Sequence, residues 1–169
     1  MTALVRNDSD KIGATVIVNF NLLDAAGDII VSSSQTEAFS RPGELLAVGT
    51  QIDVPAGAKP ATLEATAQVE YPGIGPTEPF PELPFGQVIV GKDEFGGFVA
   101  AATLTNTTAQ PLNSPRIGVV CLDAAGAVIG GSSIFPELVP PNGKVKVETL
   151  SLIVTGQPAS CEMYAGAPL

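Results

Sequence analysis

Cys121 and Cys161 are the most reactive side chains in a chain of 169 residues that has no histidine. Without an imidazole, Ser-His-Asp and Cys-His catalysis and most zinc sites are ruled out. A serine activated by lysine is the one other nucleophile available, and the lysines are few and fall at positions expected to be exposed. The cysteines do not form a CxxC pair. Cys121 takes an inward position on its strand, and Cys161 lies on the closing strand of the same half of the chain. They are therefore either two buried free thiols or a disulfide. The bridge would close a loop of about 40 residues and contribute roughly 2–4 kcal/mol. It would also argue for an oxidising compartment. A catalytic redox pair would need an accessibility that inward positions deny.

Carboxylates cluster at Asp8 with Asp10, Asp24 with Asp28, and Asp93 with Glu94. Calcium takes roughly six to eight oxygen ligands, and no cluster has EF-hand spacing. Paired carboxylates for glycoside cleavage need aromatic platforms beside them, yet the chain has no tryptophan and only Tyr71 and Tyr164 as tyrosines. The net charge is −9 and there is no basic run, so a nucleic-acid backbone would meet a repulsive field. We therefore expect no cofactor, no metal, no nucleic-acid partner and no catalysis.

What the chain does carry is a repeat. Asn7 through Asp24-Ala25-Ala26-Gly27 to Ser33-Ser34 returns 99 positions later, without a gap, as Asn106 through Asp123-Ala124-Ala125-Gly126 to Ser132-Ser133. Ten of the 32 aligned pairs from Ala3 to Ser34 are identical. Repetition at this period predicts two copies of one small domain. Each copy alone would bury only about 60% of its unfolded surface, so the two are expected to lean on each other.

Each copy reads as strands. Val16, Val18, Phe20 and Leu22 alternate with Ile17, Asn19, Asn21 and Leu23; Ile117, Val119 and Cys121 alternate with Arg116, Gly118 and Val120. Period two puts the first set of each on the core face. Asp24-Ala25-Ala26-Gly27 and Asp123-Ala124-Ala125-Gly126 read as type I turns, with aspartate at the first position and glycine at the left-handed fourth. Ile29-Ile30-Val31 and Val128-Ile129 then leave as hairpin partners. Pro42-Gly43 matches Pro140-Pro141-Asn142-Gly143 as a later turn. Leu63, Ala65, Ala67 and Val69 match Cys161 and Met163 as closing strands.

The predicted fold is all-β: two tandem β-sandwiches of the immunoglobulin or fibronectin kind. Residues 1–71 form the first module, 72–86 a proline-rich linker and 87–169 the second module. With five prolines, the linker reads as an extended, stiff spacer. The second copy begins with Gln87–Val90 and Phe95–Leu104, whereas only Ala3-Leu4-Val5 precedes Asn7. The first module thus lacks the counterpart of an opening strand, which leaves an edge exposed. Either a segment upstream of Met1 has been removed, or something else fills the place.

Phe20-Asn21-Leu22-Leu23-Asp24 resembles the signature of the FxLYD domain family, with leucine in place of its tyrosine. Val119-Val120-Cys121-Leu122-Asp123 is a looser version. Asn7-x-Ser9 and Asn106-Thr107-Thr108, ahead of these segments, also resemble the family pattern. The resemblance implies small immunoglobulin-like modules of bacterial and archaeal envelope or secreted proteins, without catalysis.

The expected role is therefore a structural or protein-interaction module, whose partner is another protein or a neighbouring module. The alternatives are a carbohydrate-binding or adhesive module and a non-catalytic accessory domain of a larger enzyme. Ile74, Val88–Val90, Phe80, Phe85, Phe95 and Phe98 make the middle of the chain a candidate contact surface, which Ile17 and Leu23 could extend. The same residues could instead bury the junction between modules. The open edge of the first module suggests a homo-oligomer built through it. No apolar run is long enough to span a membrane, and Arg6, Asp8, Asp10 and Lys11 do not suit a signal peptide. With Met1 as the natural start, the product would be cytoplasmic. As a piece of a longer exported protein it would be extracytoplasmic, and the repeat favours that reading.

Overall fold

A computed structural model describes residues 1–168, which are all-β and contain no helix. The first repeat supplies β1 (Thr2–Arg6), β2 (Thr15–Leu23), β3 (Ile29–Ala38), β4 (Leu45–Gly49) and β5 (Thr62–Glu70). The second supplies β6 (Ile89–Lys92), β7 (Phe98–Thr105), β8 (Leu112–Asn113), β9 (Arg116–Leu122) and β10 (Val128–Ile134). It continues with β11 (Leu138–Val139), β12 (Lys144–Glu148), β13 (Ile153–Val154) and β14 (Ser160–Gly166). Every pairing is antiparallel, in sheets ordered β3-β2-β5, β1-β4, β13-β10-β9-β14 and β12-β7-β6, with a small β11-β8 ribbon.

The sequence repeat is also a repeat of pairing. β2 is flanked by β3 and β5 as β9 is by β10 and β14, and β1 pairs with β4 as β7 does with β12. The inward positions collect into two cores. Val16, Val18, Phe20, Leu46 and Val48 form one; Ala102, Leu104, Ile117, Val119, Cys121 and Met163 belong to the other. Each draws on two sheets, as expected for layers packed face to face.

Besides β13 and the β11-β8 ribbon, which have no counterpart in the first repeat, the copies differ at one sheet edge. In the second, β6 adds to the free edge of β7, and the chain ahead of it continues that edge: Gly86 N–H donates to Thr103 O (2.8 Å), and Thr105 N–H to Pro84 O (3.0 Å). In the first, β1 pairs only with β4 among the described residues. Every residue of β5 is exposed.

The linker is not a free spacer. Ile74 N–H donates to Thr15 Oγ1 (2.8 Å) and Phe80 N–H to Ser40 O (3.3 Å). Gly73 lies so close to the start of β2 that a Cβ there would sit 2.3 Å from Thr15 N. Leu83 is buried in the second core. Proline removes donors but leaves its carbonyl free to accept, so this segment can bond along both repeats while forming no strand of its own.

Candidate functional site

The repeated polar residues bond to backbone. Asn7 Nδ2 donates to Lys11 O (2.8 Å) and Arg41 O (2.9 Å), while its Oδ1 accepts from Ser9. Asn106 repeats this: Nδ2 reaches Gln110 O, Val139 O and Pro140 O, and Oδ1 accepts the Thr108 N–H and hydroxyl. Both asparagines are buried. Each ties the loop after one strand to a distant turn, satisfying carbonyls that the ladders leave over.

The aspartates work the same way. Asp24 Oδ1 accepts from the N–H groups of Ala26 and Asp28, and Gly27, at φ 88°, donates to Asp24 O. Asp123 and Gly126 reproduce this turn. Asp93-Glu94-Phe95-Gly96 is a third copy of the same turn, with Asp93 accepting from Phe95 and Gly97. Among the described residues, no group of three or more acids, cysteines or histidines could hold a metal. Where the other two turns carry alanine, this third one carries Phe95, which is 89% exposed at the tip.

Cys121 and Cys161 face each other across β9 and β14 and form a disulfide, so no free cysteine is left. The candidate contact residues do not form one patch. Phe80, Phe85, Phe98, Val88 and Val90 are half-buried and pack against the second core, and Phe80 also reaches the first repeat through its N–H bond to Ser40 O. Ile74 and Phe95 are exposed, at separate places. Ile17 and Leu23 lie half-buried on the outer face of β2.

The two repeats meet elsewhere, where the β1-β4 pair packs on β9, β10 and β14. β9 is therefore covered on both faces, and six of its seven residues are buried. A Cβ on Gly118 would lie 2.6 Å from Ala47 O, so glycine permits this approach. Charged residues clamp the seam. Arg116 Nη2 bonds Glu37 Oε1 (2.7 Å) and Ala47 O (3.1 Å); from the other side, Arg41 Nη2 reaches Ala165 O (3.3 Å) and its Nη1 pairs with Glu44 (3.1 Å).

Burial pushes the Glu37 carboxyl above the ordinary carboxylate range, against the pull of the Arg116 guanidinium. Burial likewise lowers the Arg116 guanidinium against the pull of Glu37. Desolvation outweighs attraction in this pair. Arg116 also lines a cavity of about 210 Å³, with Met1, Thr2, Gly49, Ser132 and Ser133. Sequence reasoning missed Arg116 and Glu37 because alternation put Arg116 on an outward face. The one available signal was a charged residue opening an otherwise apolar strand.

No protein-family model matches the chain, and no curated protein matches it.

Proposed function

We propose that this chain is a non-catalytic pair of immunoglobulin-like β-sandwiches, serving as a structural and protein-interaction unit of a cell-envelope or secreted protein. One observation carries this reading: the polar residues that recur between the copies, Asn7 with Asn106 and Asp24 with Asp123, are committed to backbone carbonyls and amides. What recurs is thus architecture, leaving recognition to exposed edges and turn tips. The likeness of Phe20–Asp24 to the FxLYD signature supports the same assignment. The Cys121–Cys161 bridge supports an oxidising compartment.

A photoreactive residue in place of Phe95, in the full chain within the envelope of a producing cell, tests this role. A discrete protein adduct is expected, with both cysteines oxidised. A chain that forms no adduct and keeps both thiols reduced would contradict the proposal.

A further inference from the structure

The second repeat is an internal reference for the first. Ala101, Thr103 and Thr105 turn their amides and carbonyls away from β12, toward β6, Gly86 and Pro84. Their counterparts 99 positions earlier are Thr2, Leu4 and Arg6. In an antiparallel pair the bonding direction alternates along the strand. Asn7 N–H donates to Glu44 O and Thr50 N–H to Met1 O, so the odd-numbered residues face β4. Thr2, Leu4 and Arg6 therefore point their backbone groups outward, and β1 pairs with no strand on that side among the described residues.

The side chains agree. Leu63, Ala65, Ala67 and Val69 lie opposite Leu22, Phe20, Val18 and Val16, on the face that carries the first core. Yet Leu63 is 42% and Val69 59% exposed. In the second repeat Cys161, Met163 and Ala165 hold the corresponding places opposite Cys121, Val119 and Ile117, and all are buried, with β14 packed over β6. By the second repeat's arrangement, the exposed apolar stripe on β5 corresponds to the floor, and the unpaired edge of β1 to the wall, of a slot one strand wide.

We infer that this slot takes an extended strand from a partner polypeptide, apolar at alternate positions and antiparallel to β1, in the place that β6 holds in the second repeat. The inference rests on the interaction role proposed above and names its site. The segment Pro84–Lys92 shows the chemistry required: Phe85, Val88 and Val90 turn into the core while the backbone bonds along the edge. Main-chain bonds would supply affinity, and alternate side chains specificity.

Docking of a second copy edge to edge would bring together two chains that each carry a net charge of −9, which disfavours it. Residues 1–71 hold nine acids against four bases, which favours a neutral or basic strand.

The test uses the full chain and a fluorescent peptide of the sequence Pro84–Lys92, read by anisotropy, with backbone amide exchange followed in parallel. Saturable binding is expected, together with slowed exchange at Leu4 and Arg6. A scrambled peptide without apolar alternation should bind at least about tenfold more weakly. Leu4→Pro removes an outward donor that the β4 ladder does not use, and should cost a similar factor while unfolding stays cooperative. Absence of saturable binding, or equal binding of the scrambled peptide, would overturn the inference. So would a chain that sediments as a dimer with Leu4 and Arg6 already protected. If only the slot is wrong, adducts through Phe95 persist. If the interaction role is wrong, the peptide still binds but the producing cell yields no adduct.

Discussion

Glu37 and Arg116 are the residues whose energetics most exceed their place in the sequence. Each is a charge withdrawn from water, and each is held by the other across the seam. Glu37→Leu should cost roughly 3–5 kcal/mol, because it leaves the guanidinium buried without its counter-charge. The double variant Glu37→Leu/Arg116→Met should return to wild-type stability or above it, as measured by urea unfolding. The pH dependence follows from the raised Glu37 carboxyl. The contribution from its retained proton is complete below the ordinary value of 4.5 and is lost as pH rises through the raised folded value. Relative to Glu37→Gln, wild-type stability should therefore fall as the pH is taken upward through that window. A gap that widened in favour of wild type would mean that attraction to Arg116 outweighs burial.

At the scale of elements, the hairpins were legible and their surroundings were not. Period-two alternation and an Asp-x-x-Gly turn identify β2 with β3, and β9 with β10, because both are local consequences of backbone geometry. The same turn at Asp93–Gly96 was hidden behind its adjacent glycines and an acidic pair that invited a metal reading. For Phe80 and Phe85 the sequence left junction and contact surface both open, because the linker prolines break the alternation that would say which way each side chain turns. The disulfide joins directly opposed residues of β9 and β14, 40 positions apart. Replacing both cysteines with alanine should lower stability by roughly 2–4 kcal/mol through the freed loop. Chemical denaturation with and without reductant measures it: the wild type should lose stability when reduced, and the double variant should be indifferent.

Across the whole molecule, the two copies are bound into one body by a seam that no strand pattern announces. An outward face of β9 becomes an inward one only because the first repeat lies over it. Gly118 is the narrowest point of that contact. Gly118→Ala should part the repeats and speed limited proteolysis between residues 72 and 86 severalfold, while the disulfide and the second core stay intact. Unchanged cleavage would mean that the seam yields without opening.

The account depends most on the asymmetry between two otherwise matched sheets, one complete and one short of a strand. Residue-resolved amide exchange on the free protein tests it directly. Leu4 and Arg6 should exchange as open edge amides, orders of magnitude faster than Ala101 and Thr105 on the matching edge of β7, which the chain from Pro84 to Lys92 covers. Equal protection at the two sets would mean that the first sheet is already complete, and would contradict the account.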